Sequence, residues 1–142
     1  MRRLREDVHI HAPADEVYGR LRQFESHAEW LPPAFEEFAA DGETIAFALA
    51  LPVRRERVHL EVILAEAPQV LELADRDGGG WGLAWGLNAE GPREVHVTAE
   101  IAYEPAGGAF GWVLEETMHR PMRRQALRDA LWRLKLVVEG RR

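Results

Sequence analysis

A chain of 142 residues, 46% apolar and 30% charged, has the length and balance of one folded domain with a real hydrophobic core. Its net charge of −6 argues against duplex nucleic acid or an anionic membrane as the default partner. Cysteine is absent, which excludes disulfides, thiolate metal sites and cysteine nucleophiles. No segment approaches the length of a membrane span, and the basic opening MRRLRED lacks the apolar run of a signal peptide. The expectation is a soluble, cytoplasmic, single-domain protein covering residues 1–142.

In DVHIH, Val8 and Ile10 alternate with His9 and His11, the pattern of a short strand. Pro13 then opens a helix, with Asp15 and Glu16 suited to its positive N-terminal end and Val17, Leu21 and Phe24 at helical spacing. Ser26 is placed as the N-cap of a second, very short helix ending at Trp30-Leu31, because Pro32-Pro33 forbids continuation. Five further strands follow from alternation. ETIAFALAL faces Ile45, Phe47, Leu49 and Leu51 inward, and RVHLEVIL does the same with Val58, Leu60, Val62 and Leu64. QVLELAD contributes Leu71 and Leu73, WGLAWGLN contributes Trp81, Leu83, Trp85 and Leu87, and the last strand contributes Val95, Val97, Ala99, Ile101 and Tyr103. His9, His59, Glu61, His96 and Glu100 fall on the opposite, solvent face. Turn chemistry stands between these runs, and the charged run Arg54–Arg57 is assigned to a solvated hairpin tip. Short connections between consecutive strands indicate an antiparallel meander with one face buried.

From about Ala109 to Val138 the period changes to helical, with Gly140 as the stop signal. Leu127, Ala130, Leu131, Leu134 and Val138 form one stripe. Projected back along a regular helix, that stripe meets Arg123, Arg120, Glu116 and Val113. Phe110, Leu114, Met118 and Met122 form a second apolar stripe, displaced by well over a quarter turn. Pro121 removes a helical hydrogen bond and typically kinks a helix. The preferred reading is a kink that turns Met118 and Met122 inward; the other is a polar wall of Glu116, His119, Arg120 and Arg123.

The segments IHAPADEVYGRLRQFESHAEWLPP and LWRLKLVVEG bracket this order of elements. With Ala12-Pro13, Glu16-Val17, Trp30 followed by proline, and Leu134-Lys135 with Glu139, the chain resembles the polyketide cyclase/dehydrase and lipid-transport family. That family lies within the START and birch-pollen-allergen-like (SRPBCC) helix-grip superfamily. The resemblance implies an α+β fold in which a curved antiparallel sheet of six or seven strands wraps around the long C-terminal helix. Two short helices after the first strand close one end of a cavity, and Trp30 stands at its mouth or rim.

Fold alone does not decide function within such a family. The inward strand positions are almost entirely apolar and aromatic, which suits burial of a small hydrophobic ligand such as a lipid, isoprenoid quinone or polyketide-like aromatic. Trp30, Phe47, Leu49, Trp85, Val97, Tyr103, Met118 and Met122 are the candidate lining. Ordinary core packing is the plainer reading for Trp81, Trp85 and the methionine pair. A cyclase or dehydratase is the alternative, with Tyr103 and either Arg120 or His119 polarising a carbonyl. An interaction module using a sheet edge or the arginine-rich part of the helix is the third. No catalytic set is assigned. No cofactor is implied, and no His/carboxylate pair has helical zinc spacing, so no metal is expected. GGGWG lacks the phosphate-loop pattern and reads as a turn.

Overall fold

The computed structural model describes residues 1–105 and 107–140. Strand β1 (Arg2–Ile10) leads into α1 (Ala14–Arg22) and a 3₁₀ helix (Phe24–Glu29). Strands β2 (Phe35–Asp41), β3 (Thr44–Leu51), β4 (Arg54–Glu66), β5 (Val70–Ala74), β6 (Gly82–Gly91) and β7 (Glu94–Tyr103) follow. The C-terminal helical run comprises α2 (Gly108–Leu114), a π-helical turn (Glu115–His119) and α3 (Arg120–Val138). All seven strands join one antiparallel sheet in the order β1-β7-β6-β5-β4-β3-β2. The sheet curls around the C-terminal helix, the helix-grip arrangement.

Alternation explains the register. Phe47, Leu49, Leu60, Trp85, Val97 and Ile101 are buried, and Val62 and Leu83 pack partly buried against them. His59 is exposed, and His9, Glu61, His96 and Glu100 reach solvent in part. Leu64, expected inward, is exposed because a bulge between Val62 and Leu64 ends the alternation. Leu127, Ala130, Leu131 and Leu134 bury the inner face of α3. Gly140, at φ +76°, follows the helix in the left-handed conformation that glycine tolerates best.

Four differences from the sequence reading have physical causes. Strand β2 was not expected, because FEEFAAD does not alternate. A bulge between Glu36 and Ala39, with Glu37 at φ +54°, lets Phe35 and Phe38 both pack inward at a spacing of three. Arg54–Arg57 is not a hairpin tip: it begins β4, the turn is Pro52-Val53, and Glu56 points into the interior. Ser26 does not cap a helix from outside; it lies within the 3₁₀ helix, and its hydroxyl donates to the Gln23 carbonyl.

The fourth concerns the C-terminal helix. Met118 and Met122 are 43% and 47% exposed, so the methionine stripe faces out. Gly111, Glu115, His119, Arg123, Leu127 and Leu131 are buried at intervals of four, with Ala126, Ala130 and Leu134 buried beside them. A regular helix of 3.6 residues per turn would carry such a series around its axis by about 40° per step. The wider π turn over Glu115–His119 offsets part of that drift, so Glu115 and His119 still face inward with Arg123. In place of the kink expected at Pro121 that would turn Met118 and Met122 inward, the run has a π turn just upstream of that proline, and both methionines face out.

Candidate functional site

Two features occupy the space between sheet and helix. The first is a polar knot at the start of the C-terminal helical run. Arg123, on α3, donates to both carboxylate oxygens of Glu56 on β4, at 2.6 and 2.8 Å. It also donates to Glu115 of the π turn at 3.2–3.4 Å. Its guanidinium lies 3.8 Å from the centre of the Tyr103 ring, a cation–π contact. The Tyr103 hydroxyl donates to Glu115 at 2.7 Å and accepts from Arg120 at 3.3 Å. Trp81 Nε1 donates to Glu56, and His119 Nε2 contacts the Pro52 carbonyl at 2.8 Å.

Glu115, His119, Arg123 and Tyr103 are fully enclosed. Burial pushes the Glu56 carboxyl up, but the Arg123 fork outweighs it and holds the group below its ordinary value. Burial likewise pushes Arg123 down, and its carboxylate partners bring it above its ordinary value. The Tyr103 phenol is pushed up to about 12, first by burial and then by its bond to Glu115. Every group in the knot except His119 Nδ1 is engaged by another member or by a neighbour. That satisfaction is what makes the burial of three formal charges tolerable.

The second feature is an enclosed chamber of about 30 Å³. Trp30 and His27 wall it from the 3₁₀ end, Phe35 and Phe38 from β2, Phe47, Trp81 and Trp85 from the sheet, and Leu127 and Ala130 from α3. Aromatic rings meet edge to face around it: Phe35–Phe47 at 5.2 Å, Phe47–Trp81 at 5.7 Å and Trp30–Trp85 at 6.2 Å. Among the described residues, the wall holds one titratable side chain, His27. Burial lowers that imidazole to about 4, so it is neutral at physiological pH, with Nε2 contacting the Leu21 carbonyl at 2.8 Å. The indole nitrogens of Trp30 and Trp85 are buried without a hydrogen-bond partner. Trp30 also lines a larger outer groove of about 580 Å³ with Arg20, Glu29, Trp132, Arg133, Leu136 and Val137. Trp30 is the one residue common to the two linings.

Of the candidate lining residues, Trp30, Phe47 and Trp85 meet at the chamber. Leu49, Val97 and Tyr103 are buried elsewhere in the core, and Met118 and Met122 are on the surface. Tyr103, His119 and Arg120 lie at the knot. Glu56 and Glu115 were missed: Glu56 sits in a run of charges, and its partner Arg123 is 67 residues distant. The alternation that carries Val58 and Leu60 inward, extended back by one step, marks Glu56 as inward too.

Residues 1–139 match the family described as polyketide cyclase/dehydrase and lipid transport. No curated protein matches the sequence. Among solved structures, TTHA0849 from Thermus thermophilus superposes with a TM-score of 0.81 at 18% identity, covering 98% of each chain. A START superfamily protein from Mycobacterium smegmatis gives 0.63 at 14% identity, over 97% of this chain and 94% of that one. The Zhui aromatase/cyclase from Streptomyces sp. R1128 gives 0.67 at 14% identity, over 97% and 93%. At these identities the likeness establishes the fold. Together with the match along the sequence, it leads to one conclusion: the chain belongs to the polyketide cyclase/dehydrase and lipid-transport family.

Proposed function

We propose that the protein binds and carries a small hydrophobic molecule, of the lipid, isoprenoid quinone or polyketide-like aromatic type, in the space between sheet and α3. The observation that carries this reading is the chamber wall, whose residues are apolar and aromatic apart from His27. Apolar burial supplies the driving force, about 25 cal/mol per Å² removed from water, less the cost of ordering the ligand. Pockets for such molecules are typically about 300–1,000 Å³. The chamber reaches that range when the Trp30 ring swings aside and joins it to the groove of about 580 Å³.

Among the described residues, the wall offers no carboxylate, lysine or arginine, and its histidine is neutral, which favours binding over acid–base chemistry. Tyr103, the residue on which the cyclase alternative depends, is committed to Glu115 and Arg120. The test is a titration with a fluorescent naphthalene probe, alongside native mass spectrometry of protein purified from its own host. Ala130→Phe, which fills the chamber, should abolish probe binding, whereas Met122→Arg on the outer face should leave it unchanged. Unchanged binding by the Ala130→Phe protein overturns the reading.

A further inference from the structure

The outer face of the sheet carries a second constellation, remote from the chamber. His9 ends the exposed row of β1, His11 follows the strand, and Glu94 opens β7. His9 Nε2 lies 3.3 Å from Glu94 Oε1, and His11 Nδ1 lies 3.6 Å from the same oxygen. The two imidazoles meet edge to face with ring centres 4.9 Å apart, and one ligand atom from each of the three residues falls within 4.8 Å of the others. We propose that these three side chains form a binding site for a borderline divalent transition-metal ion of the zinc class, with His9 Nε2, His11 Nδ1 and Glu94 Oε1 as ligands and Glu90 as the group that orients His9.

The distances fit that ion. Bonds of about 2.0–2.2 Å in a tetrahedron place ligand atoms about 3.3–3.6 Å apart, the separations seen from Glu94 to each imidazole. The protonation pattern fits as well. His9 Nδ1 sits 2.9 Å from Glu90 Oε1, and the tautomer that donates there presents Nε2, 3.3 Å from Glu94 Oε1, as a ligand atom. A carboxylate on the far nitrogen is also the usual support for a metal-bound histidine, fixing its tautomer and raising its basicity.

Each ligand is held on a stiff element. Lys135 donates to the His9 carbonyl at 2.6 Å, and Glu139 accepts from the His11 amide at 2.8 Å, so the end of α3 pins both histidine backbones. Glu90 is the extra residue of a bulge between Ala89 and Gly91, beside the β6–β7 turn from which Glu94 emerges. Two imidazoles with one carboxylate select zinc, copper or nickel over magnesium or calcium. All three ligands are partly solvent-exposed, so the fourth position is open to water or to a donor from another molecule. The inference does not depend on the chamber's role.

The experiment is a calorimetric titration of untagged, full-length protein with Zn²⁺ at neutral pH, repeated with Co²⁺, whose visible absorption reports tetrahedral geometry. One equivalent should bind and raise the unfolding temperature, since an ion held by the folded state stabilises it. Binding should disappear in His11→Ala and in Glu94→Gln, weaken by about tenfold to a hundredfold in Glu90→Gln, and persist in His59→Ala and His96→Ala. These residues are external, so the metal-free variants should unfold at the wild-type temperature; that control shows that lost binding is not lost fold. No saturable single equivalent, or binding that survives both His11→Ala and Glu94→Gln, overturns the assignment. So does loss in His96→Ala alone, because it would move the ion to the other nitrogen of His9.

Discussion

Arg123 shows how much of this interior depends on single side chains. It sits between Glu56 and Glu115 with its guanidinium fully enclosed, so truncating it leaves Glu115 with the Tyr103 hydroxyl and no buried cation, and Glu56 with Trp81 and the part-exposed Arg54. Arg123→Met should cost about 3–5 kcal/mol in urea unfolding, and adding Glu56→Gln and Glu115→Gln should recover a substantial part, because the penalty comes from unpaired charge rather than lost volume. His27 makes the opposite kind of contribution. Its folded value, about 4, lies below the ordinary 6.5, so between these values the unfolded chain takes up a proton that the native protein refuses. Stability should therefore fall as pH drops from 6.5 towards 4, by up to about 3 kcal/mol, and level off below. Glu56 has its value lowered too, but as an acid: its contribution is present above the unfolded carboxylate value and is lost only as pH falls through the lowered folded one. Comparing His27→Phe with the wild type at several pH values separates the two. The variant should lack the decline between about 6.5 and 4.5; an identical decline would assign it to other groups.

At the scale of elements, legibility followed regularity. β3, β6 and β7 alternate without interruption over their inward residues, and the sequence showed both their existence and their faces. β2 was invisible because its bulge replaces a spacing of two by three between Phe35 and Phe38, and no local rule places a bulge. The C-terminal helix was legible in extent but not in rotation. Two apolar stripes competed, and the winner was set by ion pairs to residues far away in sequence, which periodicity does not register. The same contrast governs where the candidate lining residues lie. Trp30, Phe47 and Trp85 are read from patterns near them, whereas Met118 and Met122 required the helix phase. The π turn is what sets that phase. Deleting Thr117 should restore regular winding and rotate the preceding residues by about 100°, carrying Glu115 away from Arg123 and Tyr103. The expected loss is about 3 kcal/mol, with probe binding retained, because the chamber takes its helical wall from Leu127 and Ala130. A deletion variant as stable as the wild type would show that the turn has no structural role.

For the whole molecule, the two edges of the sheet are held very differently. The β1 edge is bound to the C-terminal helical run: Glu6 pairs with Arg124 and Arg128, Arg120 donates to the Arg3 carbonyl, and Lys135 donates to the His9 carbonyl. That explains why Lys135 and Glu139 belong to the motif at the end of the chain: they fasten the helix to the strand that it covers. The opposite edge, β2, is short and bulged and carries Glu36 and Glu37, features that discourage pairing with another chain. Its partner on the inner side is the 3₁₀ helix, and together these two elements supply Trp30's neighbourhood, Phe35 and Phe38 to the chamber wall. A ligand too large for about 30 Å³ must displace part of this wall, and the expected place is the side formed by β2 and the 3₁₀ helix, whose ion pairs of Glu36 and Glu37 with Arg55 and Arg57 are solvent-exposed. Hydrogen exchange tests this directly, since local opening follows local fastening. In the free protein, residues 24–41 should exchange well before β1, β7 and α3. Saturation with the naphthalene probe should slow exchange in that segment and along the chamber-facing turn of α3 around Leu127 and Ala130, while leaving the β1 edge unchanged. Protection centred on Met118 and Met122 would place the ligand on the outer face of the helix. Uniform slowing across the sheet would mean that the probe stabilises the fold without entering through this edge.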